Sequence, residues 1–438
     1  MTTQTRTDAQ LAEAVEPVAF SEALRTWAKI GLLSFGGPTA QIALMHRIIV
    51  EEKKWLSERH YLNALSFCML LPGPEAMQLA TYAGWRLHGL KGGLAAGLLF
   101  VLPGAAVVLA LSMIYASFGK VPLVEAIFYG IKAAVLVIVI EALLRISKRA
   151  LKLPVHWAIA IASFIGIFFL DLPFPFIIAA AAAIGTFIVH DTGEAEKHVA
   201  LPHGTFRSTM RVIAAWLAIW FVPLLATAAA LGTQHILVQL SWFFSKLAMV
   251  TFGGAYAVLA YMAQDVVTKH QWLEAGQMLD GLGLAETTPG PLILVTEFVG
   301  YVAAFKQGGV LLGVLGAVVA LWATFAPCFL WIFAGAPYIE WIISKPRLRG
   351  ALAGITAAVV GVILNLTVWF GLHVFFGKVT PLSTGWLKLW VPEFGTLDWR
   401  VIVLATISGV LLLLRHRSIA SVLGVASLGG LAFRLLGS

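Results

Sequence analysis

Apolar segments long enough to cross a lipid bilayer follow one another along almost the whole chain, separated by short polar or basic stretches. A membrane-spanning helix needs about 20 predominantly apolar residues. The pattern therefore predicts an all-α, polytopic membrane protein with about 13 transmembrane segments. The predicted segments are 22–50, 61–86, 91–118, 122–146, 153–170, 173–190, 212–231, 238–264, 277–303, 308–334, 350–376, 399–414 and 418–436.

The composition of the chain supports a lipid bilayer as its environment. Hydrophobic residues make up 60% of the 438 residues and charged residues only 12%, whereas soluble proteins carry about 25% charged residues. The net charge of +8 arises from basic residues at the ends of predicted segments, as membrane topology requires. It does not indicate nucleic acid as a partner.

Polar stretches divide the chain into four parts. The first 20 residues are polar and lack the apolar core of a signal peptide, so 1–20 is predicted to be a cytoplasmic tail. A second polar stretch runs from Asp191 to Arg211. We therefore expect a first half at 21–190, a linker plus one extra transmembrane helix at 191–236, and a second half at 237–438.

Basic clusters predict the orientation, because positively charged loops stay in the cytoplasm. A cytoplasmic N-terminus and a periplasmic C-terminus place nearly all of these clusters inside. One loop disagrees, since the count of crossings places 51–60 outside although it carries Lys53, Lys54 and Arg59. The clusters that agree are Arg86 with Lys91, Arg145 with Lys148, Arg149 and Lys152, Lys345 with Arg347 and Arg349, and Arg415 with Arg417.

The two halves contain the same motifs in the same register. Phe35-Gly36-Gly37 recurs as Phe252-Gly253-Gly254, and Pro72-Gly73-Pro74 recurs as Pro289-Gly290-Pro291, with no gap between the two motifs. The same offset joins Lys29 to Lys246 and Trp55 to Trp272. Two unrelated apolar sequences would match leucine with leucine, but not glycine pairs, tryptophan and Pro-Gly-Pro together. The chain is therefore predicted to be an internal duplication.

The number of predicted segments before the second half determines its orientation. Six segments of the first half and the extra helix at 212–231 make an odd number, so the second half is predicted to be inverted. Inverted repeats that enclose a site at the bilayer midplane are common in secondary transporters. The parity changes if one signature segment of the first half is re-entrant, and is preserved if both are.

The Phe-Gly-Gly motifs predict breaks in membrane helices. Adjacent glycines weaken a helix, and Pro38 after Gly36-Gly37 donates no backbone hydrogen bond. Close helix packing through small residues is the alternative explanation. The recurrence of the motif at matched positions favours a functional break.

The Pro-Gly-Pro motifs predict that one half-helix ends and another begins, with Pro74 and Pro291 suited to the first position of the new helix. The first amides of that helix, at 75–77 and 292–294, have no partner within the helix. A bound anion satisfies such amides and is also favoured by the helix dipole. A proline kink satisfied by a neighbouring helix remains the alternative.

Charged residues inside predicted membrane segments are costly and therefore mark candidate functional positions. Glu75 directly follows the first Pro-Gly-Pro, and Glu286 with Thr287 and Thr288 directly precedes the second. A bound anion and an ionised Glu75 repel each other, and protonation of Glu75 relieves the repulsion. Glu75, and secondly Glu286, are therefore proton-coupling candidates. The other intramembrane charges are Lys29 and Lys246, for which snorkelling to the membrane edge is the alternative, and Glu125, Lys132, Glu141 and Glu297.

No enzyme chemistry is visible in the sequence. The two cysteines, Cys68 and Cys328, lie in apolar segments without a Cys-x-x-Cys pattern or clustered histidines, so no metal site is predicted. The chain has no Gly-x-x-x-x-Gly-Lys-[Ser/Thr] nucleotide-binding loop. We therefore predict no catalytic residues and no cofactor.

Taken together, the motifs resemble those of the chromate ion transporter family in its long, two-domain form. They are Phe-Gly-Gly-Pro, Leu-Pro-Gly-Pro-Glu-Ala-x-Gln-Leu-Ala-x-Tyr, Leu-Pro-Gly-Ala, Phe-Gly-Gly-Ala-Tyr and Ala-Glu-Thr-Thr-Pro-Gly-Pro, and the resemblance extends from about Phe20 to Ser438. It implies a bacterial inner-membrane protein that exports chromate, driven by the proton motive force, with sulfate as a competing dianion.

The resemblance also selects site residues for anion binding and transport. The two copies are not equivalent, because Ala255 replaces Pro38 and Leu292 replaces Glu75, which favours one shared site with one titratable group. The selected residues are Gly36, Gly37, Pro38, Pro72, Gly73, Pro74, Glu75, Gln78 and Tyr82 in the first half and Gly253, Gly254, Glu286, Thr287, Thr288, Pro289, Gly290 and Pro291 in the second.

Several alternatives stay open at this point. A carrier of sulfate, molybdate or another oxyanion fits the same motifs. A channel, a membrane-embedded enzyme and a lipid-handling protein belong to other functional classes. A homodimer is compatible with the sequence but is not indicated by it.

Overall fold

The computed structural model describes residues 18–119, 121–188, 206–252, 255–343 and 345–437. These residues form a helical bundle with one small antiparallel sheet. The helices are α1 (Phe20–Leu33), α2 (Gly37–His46), α3 (Glu58–Cys68), α4 (Glu75–Phe118), α5 (Pro122–Ala150), α6 (Pro154–Phe168), α7 (Phe174–Ile188), α8 (Phe206–Leu231), α9 (Ile236–Val250), α10 (Ala255–Gln264), α11 (Ala275–Thr287), α12 (Val295–Gly335), α13 (Ile339–Ile343), α14 (Pro346–Phe375), α15 (Trp399–Gly409) and α16 (Ile419–Gly437), and the strands are β1 (Val379–Thr384) and β2 (Leu387–Pro392).

Long apolar helices confirm an all-α polytopic membrane protein. Among the described residues, six helical segments are long and apolar enough to cross a membrane, and shorter apolar helices accompany them. Thirteen separate crossings are not confirmed, because several predicted segments contain sharp reversals. The six segments are Glu75–Phe118, Pro122–Ala150, Phe206–Leu231, Leu292–Tyr338, Pro346–Phe375 and Ile419–Leu436.

The predicted segment 22–50 is a helical hairpin rather than a single crossing. Its helices α1 and α2 are joined at Gly36 and Gly37, whose φ angles of 83° and 76° lie in the left-handed region that favours glycine. An ion pair of 2.7 Å between Glu22 and Lys53 brings the end of this segment back to its start. The glycine pair therefore reverses the direction of the chain.

The predicted segment 61–86 is a second hairpin, formed by α3 and the first arm of α4 around Pro-Gly-Pro. The Nε2 atom of His88 lies 2.7 Å from the carbonyl oxygen of Val18, and a 2.6 Å contact joins His46 to Glu58. Both hairpins therefore begin and end on one side of the molecule. At His88 and Gly89 the chain leaves helical geometry and reverses again into the second arm of α4, at 90–118.

The second half repeats these irregularities. α12 contains a reversal at Gly308 and Gly309 like that in α4. A π-helical turn ends the first hairpin in each half, at Arg47–Glu52 and Asp265–Lys269. Left-handed non-glycine residues also recur in pairs, Lys54 with Gln271 and Asp171 with His416. The break predicted at Gly253 and Gly254 lies outside the described residues, as do 1–17 of the predicted tail and 189–205, which include the first part of the predicted linker.

The halves exchange their outer helices. α5 of the first half packs against α15 and α16 of the second, while α14 of the second half packs against α6 and α7 of the first. Glycines allow close approach at both contacts. A Cβ atom at Gly130 would collide with the carbonyl oxygen of Ala426, and one at Gly354 with that of Ala181. The two halves are therefore interlocked.

Segment 377–398, which was not predicted to be helical, contains the β1–β2 hairpin. The amide of Lys388 donates a 2.8 Å hydrogen bond to the carbonyl oxygen of Phe169. An ion pair of 3.3 Å between Lys388 and Asp171 lies beside it. The hairpin is thereby fixed to the turn between α6 and α7.

Candidate functional site

The Pro-Gly-Pro motifs lie at the interface between the halves. The Gly73 amide donates a 2.7 Å hydrogen bond to the carbonyl oxygen of Thr251 at the end of α9. The Gly290 amide donates a 2.8 Å hydrogen bond to the carbonyl oxygen of Ser34 at the end of α1. Gln41 Nε2 also donates to the Gly290 carbonyl oxygen, at 2.6 Å. Each motif therefore contacts the broken helix end of the opposite half.

A cavity of about 260 Å³ lies beside the motifs of the first half. Arg149 in its wall is exposed, so the cavity reaches the surface of the protein. Its wall combines motif residues and two arginines of the first half with one tyrosine of the second half. The lining residues are Pro38, Thr39, Ile42, Leu65, Cys68, Met69, Leu71, Gly73, Glu75, Arg145, Ile146, Arg149, Tyr256 and Thr356.

Two helix N-termini reach this cavity. α2 begins at Gly37, with Pro38 in its first turn, and α4 begins at Glu75 directly after Pro74. Pro74 is thus the capping residue and not the first helical residue that the sequence predicted. First-turn amides have no acceptor within their own helix, and the helix dipole makes these ends attractive to anions.

The matched segment of the second half does not form such an end at the cavity. Leu292–Leu294 is a single 3-10 turn that precedes α12, and its side chains are at most 2% exposed. None of these residues lines the cavity. The Pro-Gly-Pro motif of the second half therefore contributes no helix N-terminus to this cavity.

Two arginines of α5 complete the cavity wall. Arg145 and Arg149 are one helical turn apart, so they lie on one face of α5. Arg145 is also 3.4 Å from Glu141. Guanidinium groups suit oxyanions because they donate several hydrogen bonds in a fixed plane. The sequence assigned these arginines only to membrane topology, although their spacing was a signal that both face the same way.

The two candidate proton-coupling residues differ in access to the cavity. Glu75 is half-buried and lines it. Glu286 is buried and accepts a 2.8 Å hydrogen bond from the Tyr256 hydroxyl, and Tyr256 lines the cavity. The Oε2 atom of Glu286 has no hydrogen-bond partner among the described residues. The Thr287 and Thr288 hydroxyls donate to carbonyl oxygens of their own helix.

Other residues selected from the sequence lie outside the cavity lining. Gln78 is buried and supports the motif, since its Nε2 donates a 2.7 Å hydrogen bond to the carbonyl oxygen of Pro72. Tyr82 is buried with its ring near that of Trp85. Lys29 and Lys246 are exposed, and neither is among the residues that line the cavity.

The remaining intramembrane charges are mostly paired across helices. Lys132 lies 3.6 Å from Asp280, and Glu125 lies 3.6 Å from Arg434. Glu297 is only 1% exposed and its Oε2 has no hydrogen-bond partner among the described residues. No group of three potential metal-binding side chains occurs in the part of the chain that the structure describes.

The family model and the curated relatives that match this chain point to the same protein family. The sequence model of a family described as chromate transporter matches residues 21–186 and 238–431. A chromate transport protein of Pseudomonas aeruginosa is 32% identical, over 83% of this chain and 83% of its own length. A chromate transport protein of Cupriavidus metallidurans is 31% identical, over 78% and 80%. A probable chromate transport protein of Synechococcus elongatus is 30% identical, over 87% and 93%. No solved structure matches the chain.

Proposed function

The chain belongs to the chromate transporter family, and on that premise we propose that it is a secondary transporter that exports chromate across the bacterial inner membrane. The observation that carries this proposal is the convergence of two helix N-termini with Arg145 and Arg149 on one cavity. Free amides and guanidinium groups are donors for oxyanion oxygens. A tetrahedral dianion offers several oxygen acceptors to donors that approach from different directions.

Sulfate is the alternative substrate, because it has the same charge and shape as chromate. The amides and guanidinium groups around the cavity bind oxygen atoms and do not contact the central atom of such an anion. Names of the relatives favour chromate. Only a flux measurement with both anions separates the two substrates.

The positions of the hairpins support an inverted arrangement of the halves. Both hairpins of the first half return to their starting side, so they do not change the parity of crossings. The second arm of α4 and the helices α5, α6, α7 and α8 then make an odd number of crossings before α9. We infer that the second half is inverted relative to the first.

The same arrangement supports a cytoplasmic N-terminus and a periplasmic C-terminus. Loop 51–60 returns to the side on which α1 begins, so Lys53, Lys54 and Arg59 join the other basic loops instead of opposing them. Positively charged loops lie in the cytoplasm. On this orientation, the cavity with Arg145 and Arg149 takes up its anion from the cytoplasm.

Proton coupling is proposed to involve Glu75. A dianion in the cavity and an ionised Glu75 repel each other, so protonation and anion binding favour each other. Glu286 is the second candidate, because Tyr256 connects it to the cavity wall. The membrane potential, negative inside, also favours outward movement of a divalent anion.

Purified protein in lipid vesicles tests the proposal. Chromate flux is measured under an imposed pH gradient, under an imposed membrane potential and with sulfate as competitor, against vesicles without protein. Protein-dependent chromate flux that responds to the gradients supports the proposal. Sulfate flux without chromate flux establishes the alternative substrate, and no flux of either anion overturns the transport proposal.

A further inference from the structure

A second cavity, of about 230 Å³, lies toward the other end of α5. It reaches the surface at Gly377, which is exposed. Lys132 in its wall is about 20 Å from Arg145 along the axis of α5. The lining residues are Tyr129, Lys132, Gly276, Leu279, His373, Val374, Phe376, Gly377, Thr396, Asp398 and Val401.

The two cavities use equivalent positions of matched helices. Lys132 and Thr356 lie at the same distance from Pro122 and Pro346, which start α5 and α14. Lys132 lines the second cavity and Thr356 the first. Arg149 and His373 are likewise equivalent and line the first and second cavities, respectively. Lys132 and His373 of the second cavity therefore occupy positions equivalent to those of two first-cavity residues, whereas the Pro-Gly-Pro motif of the second half does not line the second cavity.

Buried apolar residues of α5 lie between the residues that line the two cavities. Residues 133–139 of α5 are all buried. Gly283 of α11 packs so closely on α5 that a Cβ atom there would collide with Ile131 and press on Val135. Asp280, the ion-pair partner of Lys132, and Glu286, behind the first cavity, are about 9 Å apart along α11.

Lys132 is only loosely held inside the second cavity. Its Nζ lies 3.6 Å from the Oδ1 atom of Asp280, beyond a direct hydrogen bond. Asp280 also accepts a 2.7 Å hydrogen bond from the Tyr115 hydroxyl, so its carboxylate keeps a partner if the lysine moves. Gly276 leaves room for the ammonium group, since a Cβ atom there would be 3.0 Å from Nζ.

The other polar groups around the cavity already have partners. The Asp398 carboxylate accepts hydrogen bonds from the Tyr129 hydroxyl and from the amide of Arg400. The Nδ1 atom of His373 is 2.8 Å from the carbonyl oxygen of Trp369. Lys132 is therefore the group in the wall that can exchange its partner for an anion at the lowest cost.

We propose that the second cavity is a further binding site for a tetrahedral oxyanion and that Lys132 is its binding cation. Asp280 pairs with the Lys132 ammonium group when no anion is bound. A dianion attracts the ammonium more strongly than a single carboxylate does, and Tyr115 stabilises the released Asp280. This inference rests on the proposed transport function, because it adds a second anion-binding site to the transport path that begins at Arg145.

Membrane vesicles of opposite orientation test the inference. Labelled sulfate and chromate are applied to right-side-out vesicles, which present the second cavity, and to inside-out vesicles, which present the first. The double variant Lys132→Met/Asp280→Asn removes both charges together, so neither is left buried alone. We expect its half-saturating anion concentration to rise about tenfold in right-side-out vesicles, since one charge-assisted contact is lost, and to stay unchanged in inside-out vesicles.

Three further variants make the test specific. Asp280→Asn alone removes the competing carboxylate and should lower the half-saturating concentration in right-side-out vesicles. Lys132→Arg keeps the charge and should retain binding. Lys378→Met is the matched control, because Lys378 lies near the same cavity but forms an exposed ion pair with Glu393.

An equal change in both vesicle orientations, or no change in either, for the double variant would overturn the second site. Absence of wild-type flux in both orientations would instead contradict the transport function itself. The two failures are therefore distinguishable.

Discussion

The Gly73 amide and the Thr251 carbonyl oxygen form a 2.7 Å hydrogen bond between the halves, and Gly290 forms the matched bond to Ser34 at 2.8 Å. A glycine amide of each half thus donates a hydrogen bond to the residue that follows α1 or α9 in the other half. Because the two bonds are reciprocal, a displacement of either hairpin acts on a hairpin in the opposite half. The bonds link the Pro-Gly-Pro motif of each half to the helix end that precedes the Phe-Gly-Gly motif of the other half.

The glycine at the centre of Pro-Gly-Pro should tolerate no side chain. Gly290 has φ of 90°, and a Cβ atom there would lie 2.9 Å from Leu294 and 3.3 Å from Gly104. We expect Gly290→Ala to destabilise the protein by about 1–3 kcal/mol through backbone strain, seen as a lower midpoint of thermal unfolding in detergent. Gly371→Ala is the control, since a Cβ atom there meets nothing within 4 Å. Equal midpoints for the two variants would contradict the expectation.

Arg145 and Arg149 should determine anion affinity from the first cavity. Replacing either with glutamine removes charge-assisted hydrogen bonds to the oxyanion, which are worth about 1.5–3 kcal/mol each. The half-saturating chromate concentration in inside-out vesicles should therefore rise by at least about tenfold. Lys148→Gln is the matched control, because Lys148 is exposed on the same helix and does not line the cavity. A similar rise for Lys148→Gln would show that general surface charge, not the cavity, sets the affinity.

Glu75→Gln should flatten the pH dependence of chromate flux. Glutamine mimics the protonated carboxyl group, so anion binding no longer requires proton uptake at this position. Flux is measured against external pH at saturating and subsaturating chromate. Glu393→Gln, at an exposed ion pair, should retain the wild-type profile. An unchanged profile for Glu75→Gln would remove Glu75 from coupling and leave Glu286 as the candidate.

Matched loops of the two halves should lie on opposite faces of the membrane. Lys54 and Gln271 share the same left-handed conformation. Each is replaced by cysteine in a separate variant, and the variants are labelled with a membrane-impermeant maleimide in vesicles of each orientation. We expect Lys54→Cys to react in inside-out vesicles and Gln271→Cys in right-side-out vesicles. The native Cys68 and Cys328 are at most 1% exposed, so the unmodified protein is the control. Reaction of both cysteines from one face would contradict the inversion.

The long helices were predictable because a long apolar segment with basic ends forms few stable structures other than a membrane-spanning helix. The hairpins were not. Segment 22–50 stays apolar through Gly36 and Gly37, and hydropathy does not distinguish a helix that continues across a membrane from one that turns back. The glycine and proline motifs located the breaks, but the direction of the chain after each break depends on contacts such as Glu22 with Lys53.

The candidate site was partly predictable for a similar reason. Glu75 and the Pro-Gly-Pro motif were found because charge and proline are unusual inside a membrane helix. Arg145 was missed as a site residue because the preference of basic residues for the cytoplasmic side already explains an arginine near a helix end. The partnership of Lys132 with Asp280 joins residues far apart in the sequence, and no local pattern indicates it.

The exchange of outer helices has a consequence for how the protein is made. α5 is synthesised before its packing partners α15 and α16, which belong to the other half of the chain. The face of α5 that carries Gly130 therefore lacks its packing partners until α15 and α16 have been synthesised. The first half therefore reaches its final packing only after helices of the second half have entered the membrane.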